Sequence, residues 1–112
     1  MNMYYVYERR GLREFLKEVS QLYDVWLFTA ACKEYADAIL EKIDPEKTLF
    51  SKRLYRENCV IDENAGLLKD LGAIDGLSLQ DTVLVYDDAR HLEHNFKNTI
   101  SISRFRSDMS PD

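Results

Sequence analysis

Hydrophobic and polar positions alternate along this chain with two different periods, and the changes of period mark out its elements. Residues 4–7 are aromatic and β-branched and predict a strand, which Gly11 closes off. Leu12, Phe15, Leu16 and Val19 then recur at i, i+3, i+4 and i+7, the stripe of an amphipathic helix. Arg13, Glu14, Lys17 and Glu18 fall on its outer side. Residues 25–29 predict the next strand, and Tyr35, Ala36, Ile39, Leu40 and Ile43 share one face of a second helix. That helix ends at Asp44-Pro45, because a proline ring disfavours a helical residue before it. Further on, short candidate strands at 53–55, 59–61 and 67–69 flank the turn Asn64-Ala65-Gly66, and Asp75-Gly76 marks another turn. Residues 82–86 and 99–102 supply the last strands, and 107–112 form a polar tail. Strand–helix–strand–helix order predicts an α/β fold with a parallel sheet, and the short strands in the middle predict a small β insertion. One domain over residues 1–106 is the expected organisation.

Composition narrows the function classes. With 112 residues, 46% of them hydrophobic and 31% charged, the chain has the balance of a single soluble globular domain. Its formal net charge of -5 disfavours a general nucleic-acid surface. No apolar stretch approaches the roughly 20 residues that cross a bilayer. The first residues have neither a basic start nor a long apolar run, so no secretory signal is expected, and Arg9 and Arg10 run directly into helix patterning. Cys32 and Cys59 are far apart, without a C-x-x-C motif and without histidine at ligand spacing. They read as reduced structural thiols of a cytoplasmic or nuclear protein.

Candidate chemistry sits at strand ends. The apolar run Val83-Leu84-Val85-Tyr86 stops abruptly in Asp87-Asp88. In open α/β sheets, ligands bind beyond the carboxyl ends of the strands, so the paired acids are candidates for a hard-cation site. Thr29 ends another apolar run with a hydroxyl, and Lys69 is a cation among leucines. Each has an ordinary structural role available: Asp opens turns, Thr ends strands, and a lysine stem packs on apolar surface with its head in water. Together they are the parts that hold a phosphoryl group beside Mg²⁺.

The order of the motifs makes the pattern specific. Arg10-Gly11-Leu12-Arg13-Glu14-Phe15-Leu16, Leu27-Phe28-Thr29-Ala30, Glu34-Tyr35-Ala36-Asp37, Leu54-Tyr55-Arg56, Lys69-Asp70-Leu71 and Val85-Tyr86-Asp87-Asp88 follow one another along nearly the whole chain. In this order the chain closely resembles the FCP1-homology (NLI-interacting factor-like) phosphatases of the haloacid dehalogenase superfamily. The resemblance implies a haloacid dehalogenase-like fold and a Mg²⁺-dependent phosphoaspartate mechanism on phosphoserine or phosphothreonine of a phosphoprotein substrate. It further implies that Thr29 hydrogen-bonds the phosphoryl oxygens, that Lys69 neutralises their charge, and that Asp87 and Asp88 stand at the metal. Thr29, Lys69, Asp87 and Asp88 are expected to converge on one edge of the sheet.

The departures from the family pattern carry their own expectations. The family's Asp-x-Asp-x-Thr/Val loop, whose first Asp is the nucleophile and second the general acid/base, is absent from these 112 residues. The expectation is therefore a C-terminal part of the domain, a truncated or degenerate copy, missing the central nucleophile strand and inactive by itself, with weak Mg²⁺ binding. The strands ending at Thr29 and Asp87 should then each lack a neighbour. Arg10 stands where the family usually has Pro, and Ala89-Arg90 where it commonly has Ser-Pro. The rival function is a non-catalytic receptor of the Tim50 type, which binds presequences at the mitochondrial inner membrane with the same fold. Metal or redox chemistry through Cys32, Cys59, His91 and His94 has little support; the two histidines read as decoration of a short helix.

Overall fold

The computed structural model of the chain describes residues 7–64, 66–87 and 98–106. Most of residues 4–7, together with Asp88, His91, His94 and the tail 107–112, lies outside the described residues; Tyr7 itself is not in a strand. The element order is α1 (Leu12–Leu22), β1 (Trp26–Phe28), α2 (Lys33–Ile43), β2 (Lys52–Leu54), β3 (Val60–Asp62), β4 (Gly66–Leu68), β5 (Leu84–Tyr86) and β6 (Thr99–Ser101), with 3-10 turns between β2 and β3 and between β4 and β5.

α1 starts where the sequence changes period. Gly11 precedes it at φ 82, a left-handed conformation that a Cβ would strain, and its carbonyl accepts the Phe15 amide at 2.9 Å. Leu16 is buried and Leu12 packs beside it, whereas Phe15 is 51% exposed. The expected four-residue stripe is thus narrower: Phe15 lies on its flank, and the Leu12–Leu16 line alone reaches the core. α2 behaves in the same way. Ala36 and Leu40 are buried and Ile43 joins the core, while Tyr35, on the flank, is 42% exposed. Leu16, Leu40 and Phe50 form the centre of this core, closed by Leu12, Val25, Leu27, Ile43 and Leu49. Both helices and β1 therefore share one apolar interior.

β1 and β2 pair in parallel, Leu27 opposite Arg53, and the ladder continues at both ends through Ser51 N–H to Val25 C=O and Thr29 N–H to Leu54 C=O, each 2.9 Å. Parallel neighbours need a crossover, which α2 supplies. β5 and β6 are also parallel, and β3 and β4 form the small antiparallel insertion, with Gly66 at φ 80 where the hairpin returns. The α/β class, the parallel pairing and the insertion match the sequence reading, with strand ends displaced by about one residue.

One expectation needs refinement. Among the described residues the strands form three separate two-stranded sheets rather than one. Among the described residues β1 pairs with β2 and β5 with β6. β1 and β5 are each three residues long.

α2 is held to β2 by charge. Asp44, 2% exposed at the end of α2, accepts the Thr48 and Leu49 amides on Oδ1 at 2.9 and 3.1 Å and Arg53 Nη2 on Oδ2 at 3.4 Å. Asp44→Ala should lower unfolding free energy by about 2–4 kcal/mol, because it strands two amides and removes one of the two carboxylates that hold a largely buried guanidinium. Asp44→Asn keeps an acceptor for the amides and should lose less. Urea unfolding of the two variants checks this; equal losses would assign the effect to charge alone.

Candidate active site

Thr29 follows directly on β1. Its amide continues the ladder to Leu54, and its Oγ1 accepts the Ala31 amide at 3.1 Å, a hydroxyl-closed turn that fixes the side chain at the carboxyl end of the strand. Arg56 braces this turn from the other side. Its amide donates to Ala31 C=O at 3.1 Å and its Nε to Ala30 C=O at 2.9 Å. Arg56 was visible in the sequence only as part of Leu54-Tyr55-Arg56; its role needs the β1–β2 register, which brings the ends of the two strands together.

Behind this turn stands a charged cluster. Asp37 on α2 accepts Tyr55 Oη at 2.6 Å and Arg53 Nη1 at 3.2 Å, and it also accepts Lys33, whose ammonium lies 5.3 Å from the Tyr55 ring centre. The Lys33 ammonium, and then the Tyr55 hydroxyl, hold the Asp37 carboxyl down to about 2. Burial pushes the Tyr55 phenol up, reinforced by its bond to Asp37. Tyr55 also anchors its own 3-10 turn, its amide donating to Asn58 Oδ1 at 2.9 Å.

Lys69 occupies a different environment from the solvated lysine its leucine neighbours permitted. It follows β4 and is 4% exposed. Its Nζ donates to Tyr86 Oη at 2.6 Å and lies 3.8 Å from the centre of the Tyr86 ring. Tyr86 is the last residue of β5, so the contact brings the cation of the insertion to the carboxyl end of a parallel strand. Asp87 comes next and is exposed. The structure thus brings Lys69 to the strand end that carries Asp87, sets Thr29 at the end of β1, and leaves Asp88 outside the described residues.

Other groups that attracted notice do not add to this constellation. Cys32 and Cys59 are both free thiols. Burial pushes the Cys59 thiol up, against the opposing pull of Lys69 and Arg56, which suits a structural cysteine rather than a nucleophile. A surface cavity of about 410 Å³ beside Lys52, Glu57, Cys59, Val60 and Ile74 contains none of Thr29, Lys69 and Asp87. Among the described residues no three Cys, His, Asp or Glu side chains gather as a metal cage. Magnesium does not require one: it takes oxygen ligands, retains waters and is often held by one or two carboxylates. The exposed Asp87 is a carboxylate of the type such an ion takes.

Comparison with known proteins identifies the family. The family model described as NLI interacting factor-like phosphatase matches residues 1–112. The chain belongs to this family. It is 31% identical over 116 residues to nuclear envelope morphology protein 1 of Saccharomyces cerevisiae, covering 95% of the chain and 26% of that protein. It is 32% identical over 109 residues to CTD nuclear envelope phosphatase 1B of Danio rerio, covering 96% and 43%. Among solved structures it superposes on Fcp1, an essential RNA polymerase II CTD phosphatase, with a TM-score of 0.72 at 26% identity, covering 94% of this chain and 28% of that one. The haloacid dehalogenase-like fold is thereby established, and this member of the phosphatase family spans less than half the length of these relatives.

The Asp37 cluster has a defined pH signature. A carboxyl whose folded value is depressed stabilises the fold fully above its ordinary value and loses that contribution as pH falls. The stability difference between the native chain and Asp37→Asn should therefore be constant above 3.8 and shrink progressively towards about 2. Thermal unfolding followed by circular dichroism across that range measures it; a difference that held constant through the acid range would rule out the ionised Asp37 as the anchor.

Proposed function

We propose that this chain is the part of a protein serine/threonine phosphatase domain, over residues 1–106, that grips and neutralises the phosphoryl group of a phosphoprotein. One observation carries the reading: Lys69, a lysine removed from solvent, has its ammonium held against Tyr86 at the end of β5, the residue before Asp87 in the chain. A buried cation at the carboxyl end of a parallel strand suits an oxyanion, because fixed charge in a water-poor site acts more strongly than in bulk solvent. In this reading Lys69 faces the phosphoryl oxygens, the Thr29 hydroxyl donates to them, and Asp87 with Asp88 holds Mg²⁺. The metal, when bound, would supply charge neutralisation on the same oxygens. The family membership and the nuclear-envelope and CTD phosphatases among the relatives support a phosphorylated protein as substrate and a nuclear or cytoplasmic setting. No helix among the described residues is long and apolar enough to cross a membrane. The presequence-receptor alternative at the mitochondrial inner membrane gains no support from these relatives.

The chemistry that these residues lack defines the limit of the proposal. The 112 residues contain no Asp-x-Asp pair, and a covalent mechanism needs a carboxylate in line with phosphorus. Positioning and charge neutralisation assist an attack but do not replace it. The 112-residue polypeptide, purified, should therefore not hydrolyse p-nitrophenyl phosphate with Mg²⁺. A strand carrying Asp-x-Asp-x-Thr joined ahead of Met1 should restore Mg²⁺-dependent turnover, and Lys69→Ala or Asp88→Ala should then abolish it. Turnover by the unmodified chain would reveal an unsuspected nucleophile. A folded but inactive fusion would point to a binding protein instead.

The metal gives a separate test. Asp87 and Asp88 are adjacent like charges, and without a further carboxylate they should bind Mg²⁺ only weakly. Titration calorimetry should show no saturable, tight binding to the isolated chain; stoichiometric tight binding would mean that the metal site is complete within these residues.

A further inference from the structure

Tyr86 is the residue on β5 that the family reading leaves without a task. An aliphatic side chain would serve equally well as the last position of a half-buried strand, yet here a phenol meets the buried lysine. The contact is double: Nζ donates to Oη at 2.6 Å and lies 3.8 Å from the ring centre. Lysine has a long stem with high rotamer entropy, so an ammonium that must meet a phosphoryl oxygen in one place has to be restrained. A carboxylate would restrain it but would also cancel its charge. A phenol is a neutral acceptor: it orients the ammonium through the hydroxyl and the negative ring face and adds no formal negative charge.

We infer that Tyr86 is the positioning residue for Lys69, holding its ammonium at the end of β5 where a phosphoryl oxyanion would meet it. The inference rests on the proposed phosphoryl-binding role of Lys69 and adds to it the group that sets the lysine's direction. Tyr86 acts through Lys69 rather than on the phosphoryl group itself. It also ties the β3–β4 insertion to the parallel strand, so that the cation and Asp87 arrive together.

The test separates the tether from the site it serves. In the 112-residue chain labelled with ¹⁵N-lysine, the ammonium signal that disappears in Lys69→Arg belongs to Lys69. A restrained, solvent-shielded ammonium should exchange slowly and stand apart from those of exposed lysines. In Tyr86→Phe, which keeps the ring but removes the acceptor, that signal should move towards the exposed group. Affinity for inorganic phosphate, followed by ³¹P resonance, should fall by about three- to tenfold, the scale of one ordinary net hydrogen bond. Tyr86→Leu, which removes the ring face as well, should fall further, with the amide spectrum of both variants confirming the fold. An unmoved Lys69 signal in Tyr86→Phe would overturn the tether. A moved signal with unchanged phosphate affinity would overturn the positioning role. Phosphate binding undiminished in Lys69→Ala would overturn the phosphoryl reading and this inference with it, while the ammonium signature would still show that the contact exists.

Discussion

The guanidinium of Arg53 lies between two carboxylates, Asp37 within α2 and Asp44 at its end, and this bridge decides how helix and sheet meet. Arg53 is in the middle of β2, directly opposite Leu27 of β1. Fixing it against α2 therefore fixes β2, and the ladder then fixes where β1 ends and where Thr29 stands. Arg56 completes the chain of constraint by holding the carbonyls of Ala30 and Ala31. Largely desolvated ion pairs of this sort specify geometry more than they add net stability, since desolvation offsets much of the attraction. The apolar interior around Leu16, Leu40 and Phe50 supplies the driving force, and the charged bridge selects the arrangement.

The two helices were legible in the sequence because periodicity over eleven residues is a strong signal, and their exposed flanks at Phe15 and Tyr35 were not, because spacing alone does not tell how wide a stripe the neighbours will cover. The strands were found but shifted, since a three-residue ladder is set by pairing rather than by local preference. At the candidate site, Thr29 and Asp87 could be read from where apolar runs stop. The burial of Lys69 could not. It depends on a tyrosine seventeen positions away in sequence, and nothing local to Leu67-Leu68-Lys69 announces that partner. Arg56 and Asp37 escaped for the same reason, as their meaning lies in contacts across the β1–α2–β2 unit.

Phosphoryl transfer divides into two tasks. Binding a phosphoryl group and neutralising it need preorganised donors and a cation; attacking it needs a nucleophile in line. In the proposed reading, Thr29, Lys69 and Asp87, each directly following a strand, serve the first task. The positions of these residues are set by local packing and hydrogen bonds, principally the Arg53 bridge and the Lys69–Tyr86 contact.

The Lys69–Tyr86 contact has a bearing on how β5 finds its alignment. Side chains on a strand alternate between faces, so a slip of one position against β6 would carry Tyr86 to the opposite face and bring Val85 to the lysine. Val85 offers no acceptor, and a buried ammonium deprived of the phenol would lose a partner it cannot replace with an aliphatic side chain. Short ladders with one neighbour are prone to such slippage, because few hydrogen bonds distinguish one alignment from the next. A single polar contact from outside the sheet thus acts as an error-correcting pin: the alignment that satisfies the lysine is also the one that delivers Asp87 to the strand end.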